Sequence, residues 1–227
     1  MTVTLVTGAN KGIGYETARR LVEVGHTVYV GARSPERGEK AAAELGARFV
    51  QLDVTDDASV AAALATIEAA EGRLDVLVNN AGIALLALNG PEALQVFDTN
   101  AVSVVRVTQA ALPLLQRSSN PVVVNVSSAL GSFWAVTNPE RPAFHVPAIV
   151  YGASKAAVSM LTLQYSHAVP EIKFNAVEPG YTATDLGGPD HGGRPVSESV
   201  DVVVRMATIG PDGPTGTFQE DQVELGW

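Results

Sequence analysis

Tyr151 and Lys155 stand four residues apart in the stretch "VYGASKAAV". On a helix, positions four apart lie one above the other on the same face, so the phenol and the ammonium would share one site. Such a pair could donate a proton, the lysine charge favouring the phenolate left behind. The same spacing also describes an ordinary amphipathic edge, with the lysine stem laid along the surface. What the rest of the chain places around the pair must decide.

A second stretch with chemical potential opens the chain. "TGANKGIG" sets Gly8, Gly12 and Gly14 between an apolar run and an amphipathic one. Glycines there permit a tight turn and close approach of the backbone to a pyrophosphate, whose charge the following helix N-terminus receives. This context favours dinucleotide binding over a plain glycine turn. Asn100 in a long helical stretch, Ser127 and Ser128 after an apolar run, "NNAG" at 79–82 and Asp53 are further candidates. Each has an ordinary role as well: local hydrogen bonding to the backbone, a turn, or a helix cap.

These residues need elements to position them. Short runs rich in Val and Leu predict strands at 3–7, 27–32, 48–52, 76–79, 122–126 and 173–177, with a short one at 216–218. Between them, 13–24, 35–45, 57–71, 91–117, 151–168 and 197–208 have helical period. Strands alternating with helices predict a parallel sheet covered on both faces: an α/β, Rossmann-type doubly wound fold of about seven strands. A single domain over 1–227 is expected, with 131–149 as a substrate-side insertion and about 184–197 as a substrate loop, both rich in Gly, Pro or aromatic residues.

Composition narrows the partners. The 227 residues are 46% hydrophobic and 17% charged, as in a globular domain, and fifteen basic against twenty-four acidic residues leave a net charge of −9. That charge repels nucleic acid and anionic membranes. No cysteine is present and the four histidines lack paired spacing, so no metal site is expected. The chain enters an apolar strand directly, without a leader pattern or a membrane span, which predicts a cytoplasmic protein.

In order along nearly the whole chain, "TGANKGIG", "NNAG", Asn100 in "DTNAV", "VNVSS", "YGASK" and "PGYTAT" match the motifs of one family. The sequence resembles the classical short-chain dehydrogenases/reductases. The form of the glycine motif and the extra residues before Tyr151 are most similar to the monomeric carbonyl-reductase branch. The resemblance implies hydride transfer between a nicotinamide and a ketone or aldehyde, with Asn100, Ser128, Tyr151 and Lys155 as the catalytic set. Ser128 would orient the carbonyl, and Asn100 would hold a water in a proton relay to the lysine. The family also has Lys155 hold the nicotinamide ribose. It puts the cofactor against Gly8, Asn10, Lys11, Gly12, Ile13 and Gly14, with Asp53 and Val54 at the adenine. Asn80, Ala81 and Gly82 lie beside it, with Tyr151 and Lys155, and Pro179, Gly180, Thr182 and Thr184 close it at the nicotinamide end. Ser128, Phe133, Trp134, Tyr151 and Tyr181 would meet the substrate, an apolar or aromatic carbonyl or alcohol. A monomer or homodimer is expected.

Tyrosine ionises near pH 10, so proton donation near neutrality asks for a downward shift of roughly three units, about 4 kcal/mol, expected chiefly from Lys155. Cofactor choice is argued from charge. An NAD site places a carboxylate at the end of the second strand, where this chain has Ala32 and Arg33. Arg33 and Lys11, with Arg37 one turn on, are therefore expected to favour the 2'-phosphate of NADP(H). A catalytically silent dinucleotide-binding redox sensor on the same fold is the alternative function.

Overall fold

Strands of this chain carry apolar side chains at successive positions, because both faces of the sheet they form are covered. The computed structural model describes residues 1–85, 88–186, 192–221 and 223–227. In chain order the strands are β1 Val3–Thr7, β2 Thr27–Ala32, β3 Arg48–Gln51, β4 Val76–Asn79, β5 Val122–Val126, β6 Lys173–Glu178, β7 Thr217–Glu220 and β8 Val223–Glu224. The helices are α1 Gly12–Glu23, α2 Pro35–Leu45, α3 Asp57–Glu71, α4 Gly90–Phe97, α5 Ser103–Leu115, α6 Phe133–Thr137, α7 Ile149–Ala168, α8 Val196–Ser199 and α9 Asp201–Ala207. One sheet runs β3-β2-β1-β4-β5-β6-β7-β8, parallel except for the last pair. The order reverses between β1 and β4, which opens a crevice at the C-terminal strand ends, where ligands bind in such sheets.

Alternation along β1 divides the core. Leu5 packs with Ile67, Leu77 and Phe174 on one face of the sheet, while Val6 packs with Leu21, Val78 and Val203 on the other. Local chemistry sets helix ends: the Asp56 carboxylate accepts from Ala58 N (2.8 Å) and Ser59 N (3.4 Å) to start α3, and Gly72, at φ 71°, ends it.

Several expectations are corrected. The sheet has an eighth strand, β8, whose two residues are too short to leave a period in the sequence. The segment 131–149 is not all loop. Ser132 caps α6 by accepting from Ala135 N, and Pro142–His145 forms a 3-10 turn. The expected helix 91–117 contains a π-helical segment, Asp98–Val102, between α4 and α5. The last expected helix divides into α8 and α9, and β6 runs one residue further, to Glu178. Within the expected substrate loop, residues 187–191 lie outside the described residues.

Candidate active site

The glycine turn is built to bring backbone close to something. Gly8 and Gly12 adopt φ of 65° and 58°, which L side chains rarely take. A Cβ on Gly14 would stand 2.7 Å from the Gly8 carbonyl oxygen and also meet the Asn80 amide. That amide donates to Thr7 O (2.7 Å), while Thr7 Oγ1 accepts from the N–H groups of Asn80 and Ala81 (3.0 Å each). The ends of β1 and β4 are thus laced into one floor. Ile13 packs into the core beside it, and Asn10 is half-buried on the turn. Thr184 borders the other side, since a Cβ on Gly12 would meet its methyl at 3.4 Å.

At the far end of the crevice, Ala32 is buried and Arg33 exposed at the end of β2, with no carboxylate at either position. Val54 is buried. Burial would raise the Asp53 carboxyl, but hydrogen bonds from Thr55 N (3.0 Å) and Thr55 Oγ1 (2.7 Å), with Arg33 and Arg106 nearby, hold it below the usual carboxylate range. Lys11 is exposed and pairs with Asp185 at 2.5 Å.

The glycine floor continues into the reaction end. A Cβ on Gly8 would stand 3.1 Å from the Ala81 Cα, and one on Gly82 would meet Asn100 Oδ1 at 3.3 Å and Lys155 Nζ at 3.6 Å. The π-helical segment presents Asn100, 1% exposed, so that Oδ1 accepts from Ile83 N (2.8 Å) and Nδ2 donates to Ile83 O and Ser154 Oγ (2.9 Å each). Asn100 thereby ties the loop after β4 to α7. Beneath it, a buried string Thr108–Asn79–Asn125–Thr162 links α5, β4, β5 and α7. With its members paired, the string is a rigid base.

The two serines after β5 take different roles. Ser127 is buried, its hydroxyl bonded to Lys155 O (3.1 Å) and Ser159 Oγ (2.9 Å). Ser128 points the other way, accepts from Leu130 N (3.3 Å) and stands beside the Tyr151 hydroxyl, whose acidity it increases. Lys155 is buried on the same face of α7 as Tyr151, donates to Val126 O (2.7 Å), and holds Nζ 5.7 Å from the Tyr151 ring centre. Burial pulls the Lys155 ammonium down to about 8, partly offset by the negative Glu178. Burial also pushes Tyr151 well above an ordinary phenol, Glu178 adds to that, and Ser128 works against it. The downward shift expected from Lys155 is thus opposed by desolvation of the hydroxyl, the largest influence on it, and by Glu178.

Glu178 was not among the residues expected at the site. It is buried at the end of β6, accepts from Ala129 N and from Gly180 N (2.9 Å), and lies against Ser128. Its signal in the sequence is an acid directly after the apolar run of a central strand. Beyond it, Gly180 turns at φ 79°, and Thr182 is buried with Oγ1 2.9 Å from Gly180 O and 2.7 Å from Ser199 Oγ.

The expected substrate aromatics are not gathered. Trp134 lies against Gly226, and Arg141 stacks over its ring at 5.5 Å. Phe133, 72% exposed, borders a shallow apolar groove with Val146, Ile149 and Ala153 on the outer side of α7. Tyr181 is exposed after the Pro179–Gly180 turn.

With this geometry in hand, comparison with known proteins is informative. The model of the short chain dehydrogenase family matches residues 2–192. The short-chain dehydrogenase/reductase ATR10 of Stachybotrys chlorohalonatus is 34% identical over 244 residues, covering 96% of this chain and 87% of that protein. The (-)-isopiperitenone reductase of Mentha piperita is 31% identical, over 94% of each chain. The crystal structure of NADPH-bound carbonyl reductase from chicken fatty liver superposes with a TM-score of 0.87 at 29% identity, covering 100% of both chains.

Proposed function

The chain belongs to the short-chain dehydrogenase family of oxidoreductases, and from that premise we propose that it reduces a ketone or aldehyde to the alcohol with NADPH, Tyr151 donating the proton. The single observation that carries this reading is the continuous floor from the glycine turn, through Ala81 and Gly82, to the buried Lys155 with Tyr151 on the same face of α7.

A reduced nicotinamide dinucleotide, when bound, supplies a hydride. The fit for its pyrophosphate rests on Gly8, Gly12 and Gly14, where added Cβ atoms would fill the approach or strain the backbone. The N–H groups at the start of α1 face that approach and attract negative charge. Arg33 is exposed and could meet a 2'-phosphate, and Lys11 could do so by leaving Asp185; this exposed pair is worth little to stability. Asp53 and Val54 would border the adenine, and Thr182 and Thr184 the nicotinamide end.

The chain's own side chains then act on the substrate carbonyl. Ser128 hydrogen-bonds its oxygen and orients it, which contributes by positioning. Tyr151 gives its proton to that oxygen. Burial and Glu178 keep it in the acid form, and donation is then favoured by positive charge brought near the hydroxyl. Lys155, held by Val126 O beside Gly82, supplies positive charge as the phenolate forms. Asn100 fixes the 82–83 backbone, and a relay water is proposed at its remaining acceptor positions. Tyr181 and Leu186, which flank Thr182 and Thr184, offer exposed apolar surface beside the crevice and suit a bulky hydrophobic carbonyl.

The test is loss of NADPH absorbance across a panel of aliphatic, monoterpenoid and aryl ketones. Turnover of the bulky members supports the proposal. Tight NADPH binding with no turnover of any member would refute it and favour a dinucleotide-binding sensor.

A further inference from the structure

The backbone that carries Thr182 and Thr184 lies outside any helix or strand. Residues 181–184 leave the end of β6 and cross toward the glycine turn, where Thr184 borders Gly12. One residue, Arg194, ties this segment down. Its N–H donates to Tyr181 O (2.8 Å) and its carbonyl accepts from Ala183 N (3.0 Å), an isolated parallel bridge. Gly193 permits the approach, since a Cβ there would stand 2.5 Å from both the Ala183 nitrogen and the Thr182 carbonyl carbon.

The Arg194 side chain makes a second tie to the same segment. Its stem lies along Gly180, where a Cβ would stand 3.3 Å from Arg194 Nε. Nε donates to Ser199 Oγ (3.1 Å), and that oxygen also lies 2.7 Å from Thr182 Oγ1, both hydroxyls belonging to buried residues. The far edge of the guanidinium donates to the two Asp221 carboxylate oxygens (2.7 and 3.0 Å) and to Glu198 O (3.1 Å). Bidentate pairing fixes the plane of the fork as well as its place. Asp221, directly after β7, has φ 40° and is the one non-glycine residue with positive φ among the described residues. Its carbonyl accepts from Arg205 Nη2, which holds the turn.

We infer that Arg194, clamped by Asp221, is a positioning residue for the nicotinamide end of the cofactor site: it sets the 180–184 backbone before a dinucleotide binds. This rests on the reading of the crevice as a dinucleotide site. Arg194 acts through Tyr181, Thr182 and Ala183 and not on the reacting atoms. A segment released from the clamp must be ordered at the moment of binding, and that cost is subtracted from affinity. The adenosine end is built elsewhere, on Arg33, Asp53 and Val54 after β2 and β3. Loss of the clamp therefore acts on one half of the ligand.

The test compares two ligands by calorimetry: NADPH, and adenosine 2',5'-bisphosphate, which carries the adenosine end alone. Arg194→Ala should weaken NADPH by at least about fivefold, the cost of reordering one or two freed side chains, and leave the bisphosphate nearly unchanged. Asp221→Asn suits the same turn and keeps one acceptor, so a loss of about twofold or more, again for NADPH alone, is expected of this half-exposed pair. Added to Arg194→Ala, it should cost little further, because the aspartate acts through the arginine. Arg194→Lys keeps the charge without the fork and should restore only part of the affinity. Melting temperatures identify the folded variants, and Asp221→Asn decides the matter if Arg194→Ala unfolds. Unchanged NADPH affinity in the folded variants, or a parallel loss of both ligands, would overturn the inference and leave the cofactor reading standing. A wild-type protein that binds neither ligand would overturn the cofactor reading, and the inference with it.

Discussion

The two ends of the central sheet each bury a carboxylate, and the two are treated in opposite ways. At the N-terminal end, Asp75 accepts from Val3 N (2.8 Å) and Ser118 Oγ (2.6 Å) and pairs with Arg73 Nε at 3.1 Å. Burial alone would raise its carboxyl, but these partners outweigh burial and hold it below the usual range. At the C-terminal end, burial dominates. Glu178 is raised, Tyr151 is raised and Lys155 is lowered, so all three are pushed toward their neutral forms. A satisfied charge ties β1 to the segment after α5 and serves the fold. Groups held away from their ordinary titration, facing a crevice, are what proton transfer requires. The contrast teaches that burial does not mark a site; incomplete compensation of burial does.

The comparison breaks most visibly at Tyr151. Removing one hydroxyl by Tyr151→Phe should cost at least about a hundredfold in kcat, the scale of general acid catalysis, with the melting temperature nearly unchanged. Steady-state kinetics beside thermal unfolding checks both halves. Near wild-type turnover would remove Tyr151 from the reaction.

Asp75→Ala is the mirror experiment. It leaves the buried Val3 N–H and the Ser118 hydroxyl without their acceptor, at about 1–3 kcal/mol for each unpaired group. For a chain of 227 residues the melting temperature should fall by roughly 5 °C or more, while kcat of the folded fraction stays near wild type. The pH dependence has a definite sign. The folded-state acidity of Asp75 is increased, so its contribution is complete above the unfolded carboxylate value of about 3.9 and is lost as pH falls further. The melting difference between wild type and variant should therefore narrow below about pH 4. A difference constant with pH would mean that the carboxylate charge contributes nothing.

Legibility in the sequence followed the same division. Continuous apolar runs predict β1, β2, β4 and β5 with the bounds they have in the structure, because parallel strands covered on both faces leave few alternatives. The Tyr151–Lys155 spacing and Gly8, Gly12 and Gly14 were readable because only certain residue types suit those backbones and that helix face. The π-helical turn that aims Asn100 was not, since five residues cannot shift the apolar period of a long helix visibly. Glu178 is hidden because the apolar run of β6 ends at Val177, and the acid after it reads as the start of a loop. The position of Trp134 on the insertion between Ser128 and Tyr151 suggests the site, but whether it faces the crevice or the C-terminal tail, where it lies against Gly226, depends on tertiary packing that the segment 131–149 does not encode locally.

A subtler test uses adjacent hydroxyls. Ser128→Ala should reduce kcat by about tenfold to a hundredfold, the worth of a hydrogen bond to developing charge of about 1.5–3 kcal/mol. Ser127→Ala removes contacts to Lys155 O and Ser159 Oγ and should lower the melting temperature with a much smaller change in kcat. Equal kinetic losses would mean that both serines serve α7 rather than the substrate.

The smallest effect is expected at the outer edge of the C-terminal end, where charge is exposed instead of buried. Arg33 stands in the position from which a guanidinium could meet a 2'-phosphate, beside a buried Ala32 where NAD sites carry an acid. A charge-assisted hydrogen bond of about 1.5–3 kcal/mol predicts NADPH over NADH by at least about tenfold in kcat/KM. Solvent screening at an exposed residue keeps the expectation at the lower bound and makes it fall with added salt. Arg33→Ala should erase most of the preference by weakening NADPH and leaving NADH nearly as it was. Ala32→Asp should flatten or reverse it, because the new carboxylate repels the phosphate and accepts from a free 2'-hydroxyl. Parallel titrations of both cofactors with one ketone, at low and high salt, measure this. Equal use of NADH and NADPH by the wild-type protein would show that the missing acid at position 32 carries no selectivity, and would confine the electrostatic design of this end to its buried groups.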